Sequence, residues 1–169
     1  MADPVSSNLL RRAFAISVLM SAAAATAQVP APAAPTAAAT AQGVLRSGSA
    51  HSVDDTVARI KSAVEAKGIR YFAAIDQKAL GDGANLSIRK STLVLFGNPP
   101  LGVQFIQSNP YAGLDWPVRM LVRETEDGST EIAWTDFAFV GRRYGITDKD
   151  VQLKMASEVA ATIAAEAGQ

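Results

Sequence analysis

The chain has 169 residues, 49% of them apolar, with 16 Lys and Arg against 16 Asp and Glu, one His and no Cys. The missing cysteines exclude disulfides, thiolate metal sites, a cysteine nucleophile and covalent haem attachment, and a single histidine serves zinc poorly. A net charge of zero gives no electrostatic case for nucleic acid as a partner.

Arg11 and Arg12 precede the apolar run Ala13 to Ala25, and Ala25-Thr26-Ala27 supplies the small residues that a signal peptidase reads. This order predicts a signal peptide over residues 1–27 and a periplasmic or secreted product. As a membrane span the run is too short, because ~13 residues at ~1.5 Å each cover only about 20 Å of a ~30 Å hydrocarbon core. No transmembrane segment is therefore expected after cleavage. The Arg pair with Phe14 also partly resembles a twin-arginine leader, so both export routes stay open. Residues 28–43 hold Pro30, Pro32 and Pro35 among alanines without a charge, the composition of an extended tether. The single domain then runs over 44–169, long enough to bury a core without staples.

Within it, Ser52 and Asp55 form a capping box, and Val53, Val57, Ile60 and Val64 follow at the helical period until Gly68. Ile69 to Ile75 and Thr92 to Phe96 read as strands, with a loop at Gly81-Asp82-Gly83 between them. A turn at Gly97-Asn98-Pro99 leads into a short helix that Asn109-Pro110 stops. Val118 to Glu124 and Thr130 to Asp136 make a hairpin. A turn centred on Asp127 sets Val122 against Ile132, Met120 against Trp134 and Val118 against Asp136 on the core side, with Arg119, Arg123 and Glu131 on the other. Arg142 to Gly145 reads as a bend, and Thr147 with Asp150 as a second capping box opening a final helix to about Ala167. The order is β-α-β-β-α-β-β-α. It predicts an α+β, two-layer fold, an antiparallel or mixed sheet of about five strands with helices packed on one face.

At Asp54-Asp55-Thr56-Val57, Lys67-Gly68, Ala74-Ile75-Asp76, Leu95-Phe96-Gly97-Asn98-Pro99 and Leu114-Asp115-Trp116-Pro117-Val118 the chain resembles domain-of-unknown-function family number 302, a small bacterial and archaeal α+β domain. The likeness runs from about Gly48 to Tyr144. It implies a compact α+β fold, a homodimer and no established activity. Where the family usually shows Asp-His, this chain has Asp76-Gln77, so a titrating or metal-binding histidine is absent there.

Candidate ligand-binding residues are Asp76, Asn98, Asp115, Trp116, Asp136 and Tyr144, and none is marked as catalytic. His51 stands in a polar stretch before the first helix and reads as solvated. Neither a G-x-S-x-G nucleophile turn nor a calcium loop occurs. Gly97-Asn98-Pro99 joins a strand to a helix N-terminus, a place that attracts anions, although capping by Asn98 and Pro99 also explains it. Asp136 reads either as a rim carboxylate with a raised pKa or as the cap of the turn over Phe137 to Val140. Three functional readings follow. The first is a non-catalytic ligand- or protein-binding module of the cell envelope, dimeric through a final helix with Val151, Met155, Val159 and Ile163 on one stripe and surplus alanines around it. The second is a metal-independent acid-base enzyme using Asp115, Asp136 and Tyr144. The third is a carrier of haem or another hydrophobic cofactor through Met120, Tyr111 and Trp134.

Overall fold

Alternating apolar residues at Val94 and Phe96, Met120 and Val122, and Ile132 and Trp134 put one buried face on three adjacent strands. The computed structural model describes residues 39–169. The leader over 1–27 and the tether up to residue 38 lie outside them. In the described part the strands are β1 (Val44–Ser49), β2 (Arg70–Asp76), β3 (Ser91–Gly97), β4 (Val118–Glu124) and β5 (Thr130–Thr135). They form one sheet in the order β1-β5-β4-β3-β2, every neighbouring pair antiparallel. The helices are α1 (Val53–Ala66), α2 (Gln77–Gly83), α3 (Pro99–Ser108), α4 (Phe137–Tyr144) and α5 (Asp150–Gly168), with a 3-10 helix at Pro110–Asp115. The expected α+β architecture is the one observed.

Helix α1 begins as its sequence requires, Ser52 Oγ accepting from the Asp55 amide at 3.2 Å and donating to the Asp55 carboxylate at 2.7 Å. It packs Val53, Ile60 and Val64 on the sheet. Beside it, α5 faces inward with Leu153, Ala156, Ala160, Ile163, Ala164 and Ala167. The alanines are thus the packing surface, since small side chains let α1 and α5 approach closely. Val151 and Met155 are 70% and 48% exposed, so the stripe expected from the sequence is only partly the buried one. Helix α5 also starts differently. Its N-cap position is Lys149, with no side-chain cap, and the box expected between Thr147 and Asp150 does not form.

Two further helices stand where the sequence suggests loop. Helix α2 buries none of its residues, which is why no apolar period announced it. Helix α4 replaces the turn and bend expected between Phe137 and Gly145, burying Phe137, Val140 and Gly141 and ending at Gly145 with φ 61°. Residues 40–43, counted with the tether in the sequence, form a tight turn in which Gly43 N donates to Thr40 O at 2.8 Å. Gly43 O in turn accepts from the Asp136 amide at 2.8 Å.

The hairpin register is Met120↔Trp134 and Val122↔Ile132, as the turn centre requires. The ladder stops at Thr135, so Val118 has no partner at Asp136 and pairs only with Phe96 of β3. At the sheet's far side β2 slips register between Tyr71 and Ala73, bulging at Phe72. On the face away from the core, Ile75, Leu93, Leu121, Ala133 and Arg46 line up across the strands. Arg119 and Arg123 share that face.

Candidate functional site

Asn109 stops α3 and starts the 3-10 helix, its Oδ1 accepting from the Tyr111 amide at 2.9 Å while its Nδ2 donates to Tyr144 O at 2.8 Å. That link brings the end of the 3-10 helix against the last turn of α4. Asp115, the final 3-10 residue, consequently lies inside, its side chain only 4% exposed. A carboxylate taken out of water costs several kcal/mol unless it is paired and hydrogen-bonded. Here Oδ1 accepts from Arg119 Nη2, and Oδ2 accepts from Arg143 Nη1 at 3.1 Å and from the Tyr144 hydroxyl at 2.6 Å. Charge-assisted bonds of this kind are roughly twice as strong as neutral ones, and three of them converge on one group.

The arrangement sets the chemistry. Tyr144 is held above the usual tyrosine pKa, first because ionisation would lose its bond to Asp115, then through burial and the Asp115 charge. Asp115 has both oxygens occupied by donors and works as an anchor. The guanidiniums of Arg119 and Arg143 are half-exposed, and Arg143 also lies 5.3 Å over the Tyr144 ring. Of the six residues marked in the sequence, the structure joins Asp115 to Tyr144 and places Asn98 and Trp116 on one narrow cavity. To the Asp115 cluster it adds Arg119 and Arg143, which no spacing in the sequence links to position 115.

The other marked residues stand elsewhere. Asp136 caps α4, accepting from the Ala138 and Phe139 amides at 3.0 and 3.2 Å. It begins a helix that Tyr144 ends, about 12 Å away at ~1.5 Å per residue. The acid-base trio of Asp115, Asp136 and Tyr144 is therefore not assembled. Asp76 caps α2 through the Ala79 amide at 2.9 Å, and Gln77 accepts from Ser91 Oγ at 2.7 Å.

Asn98 occupies the N-cap position of α3 but makes no side-chain cap bond, contrary to the capping expected of it. The anion reading fails at the same turn. Pro99 and Pro100 have no N–H, and the next two amides, Leu101 and Gly102, both donate to Asn98 O. No free donor is left to hold an anion at that terminus.

Trp116 packs its indole on the backbone of Gly97 and Gly102 and meets Phe72 edge-on, ring centroids 6.0 Å apart. It borders a narrow apolar cavity of ≈ 30 Å³ with Phe96, Leu101, Phe105 and Phe137, room for a water or two at most. Met120 and Trp134 are buried as a cross-strand pair, whereas Tyr111 is 72% exposed. The three residues proposed to hold haem thus form no common pocket. His51 is not the solvated residue expected, because its Nε2 is buried without a hydrogen-bond partner. A shallow groove of ≈ 420 Å³ between α4 and α5 has Ala138, Gly141, Ile146 and Leu153 as its floor. Of its rim charges, Lys154 pairs with Glu158 at 3.8 Å and Arg142 with Asp136 at 4.0 Å, while Asp150 has no ion-pair partner among the described residues. Among the described residues no group of three or more His, Asp or Glu side chains is placed to hold a metal ion.

A family model described as domain of unknown function DUF302 matches residues 45–165. The chain is 30% identical over 113 residues to the fluoride-specific ion channel FluC 1 of Brucella suis and to FluC 2 of Brucella melitensis. Each match covers 66% of this chain and 44% and 42% of those proteins respectively, so the chain spans less than half the length of these relatives. A crystal structure of an uncharacterised conserved DUF302 protein from Bacillus stearothermophilus has the same fold. Its TM-score is 0.68 at 12% identity, covering 75% of this chain and 99% of that one.

Proposed function

From the premise that this chain belongs to the DUF302 family, we propose that it is an exported, non-catalytic binding module of the cell envelope, working as a homodimer. One observation carries the non-catalytic part. The carboxylates best suited to acid-base work are committed to structure, Asp115 to three donors and Asp136 to two helix amides. A general base has to face its substrate, and the Asp115 and Asp136 side chains are only 4% and 16% exposed.

Export rests on the leader pattern around Arg11, Arg12 and Ala25-Thr26-Ala27. The Brucella relatives support a place at a membrane, since the matched segment occupies less than half of proteins named as ion channels. Among the described residues no helix is long and apolar enough to cross a bilayer. The dimer rests on the family resemblance and on Val151 and Met155, exposed along one side of α5.

Native mass spectrometry of the full chain, expressed with its leader and purified from the periplasmic fraction, tests the reading. The expected species starts at Gln28, has twice the monomer mass and carries co-purified small molecules or a protein partner. A monomer that retains Arg11, sediments with cytosol and carries nothing overturns it.

A further inference from the structure

The cluster at Asp115 holds more positive charge than it neutralises. Two guanidiniums share one carboxylate, and among the described residues neither Arg119 nor Arg143 has another acidic partner within 4.0 Å. Each guanidinium carries five N–H donors, and a single one of each is spent on Asp115. The side chains are 43% and 50% exposed while Asp115 is 4% exposed, so the carboxylate sits behind them and their remaining donors face solvent.

The two arginines are also held in place. Asp115 fixes both from behind, the Tyr144 ring supports Arg143, and the β4 register places Arg119 opposite Leu95 on the outer face of the sheet. Side chains fixed in this way lose little freedom when they meet an oxyanion, and planar forks match phosphate and carboxylate geometry. Arg123, on the same face, differs. Its Nε is taken by Glu131 at 3.0 Å, and Arg46 approaches the same carboxylate at 3.8 Å. Leu114, 67% exposed beside Asp115, supplies apolar surface next to the charges.

We propose that Arg119 and Arg143, braced by Asp115 and Tyr144, form a binding site for an oxyanion, a phosphate or carboxylate group bridging the two guanidiniums. This deepens the reading of the domain as a binding module and rests on it. The oxyanion is either free or the headgroup of a lipid.

The experiment follows the arginine side-chain Nε–Hε resonances of the mature protein by NMR. One titration uses inorganic phosphate, with sodium chloride at matched ionic strength as control. The others use vesicles of phosphatidylglycerol or of phosphatidylcholine. Saturable shifts at Arg119 and Arg143 with phosphate, absent with chloride, support the site. Response to phosphatidylglycerol alone supports it with a headgroup as ligand. Arg119→Gln should weaken binding at least about tenfold, whereas Arg123→Gln should leave it unchanged. Arg143 and Tyr144 still satisfy Asp115 in the Arg119→Gln variant. Should that variant lose its folded spectrum, Arg119→Lys keeps the charge, loses the planar fork and should still bind more weakly. No saturable shift with any probe, or equal affinity in Arg119→Lys and wild type, overturns the proposal. That failure is distinguishable from failure of the binding-module reading, because co-purification detects a partner on any surface.

Discussion

Tyr144 donates its hydroxyl to the buried carboxylate of Asp115 across 2.6 Å, joining the last turn of α4 to the end of the 3-10 helix. Removing the hydroxyl leaves Asp115 with its two arginines, so Tyr144→Phe should cost about 1.5–3 kcal/mol at neutral pH, the range for a bond to a charged group. The pH dependence has a definite sign. Tyr144 is raised in the folded state, so its contribution is complete below the ordinary tyrosine pKa near ~10 and is lost as pH rises through the folded value. Thermal melts between about pH 8 and pH 12 should fall more steeply for the wild type than for Tyr144→Phe. Parallel curves would show that the hydrogen bond carries no linkage.

Gly102 lies inside α3, where alanine ordinarily gains about 1 kcal/mol over glycine. Here the added Cβ would fall within the Trp116 indole. Overpacking of this kind costs typically ~1–3 kcal/mol, so Gly102→Ala should be destabilising despite its better propensity. The same variant should shift the Trp116 fluorescence maximum, because the ring must leave its seat. A stabilised variant with unchanged emission would mean that the indole is not held as described.

Asp136 separates capping from chemistry by two substitutions. Asn caps about as well as Asp, so Asp136→Asn should melt close to wild type, while Asp136→Ala should lose on the order of 1 kcal/mol. Both should leave the oligomeric mass and any co-purified material unchanged. Loss of bound material in Asp136→Asn with an unchanged melt would restore a ligand role.

Asp127, in the hairpin turn, accepts from Thr125 and Ser129, and these bonds bring its pKa down to about 2. A lowered acid contributes stability that is present above the unfolded value and lost as pH falls through the folded one. The acid limb of the stability curve between about pH 4 and pH 2 should therefore flatten in Asp127→Asn. A carboxyl carbon titration by NMR with its midpoint near the ordinary aspartate value would refute the assignment.

The hairpin shows how far sequence reaches. Its register is legible because a turn centre and strict alternation over-determine pairing, yet the pattern extends to Val118 and Asp136, where the ladder has already ended. Asp136 has a competing local role, capping α4 with a side chain that accepts two helix amides. The bare anion turn at Asn98 was already excluded in principle by Pro99-Pro100, since two prolines delete the donors such a site needs. Helix α2 buries nothing, so no period marked it, and the alanine side of α5 resembled surplus surface until α1 was seen against it. Of the cluster, Asp115 and Tyr144 are among the residues the sequence singles out, whereas Arg119 and Arg143 become their neighbours only through the fold. Their mutual position is a tertiary fact with no local signature.

The slip of register at Phe72 has a consequence for how copies of this chain behave when crowded. A free sheet edge templates pairing with another strand, and a bulge spoils the template by breaking the even spacing of its donors and acceptors. The β2 edge is broken in this way. The opposite edge, β1, runs straight through six unbroken pairs from Val44 to Ser49, and its principal guard is the charge of Arg46. Cross-β growth, should it begin, would begin along β1. The residue whose neutralisation most invites it is Arg46, far from the Asp115 cluster in sequence and unconnected with it in role.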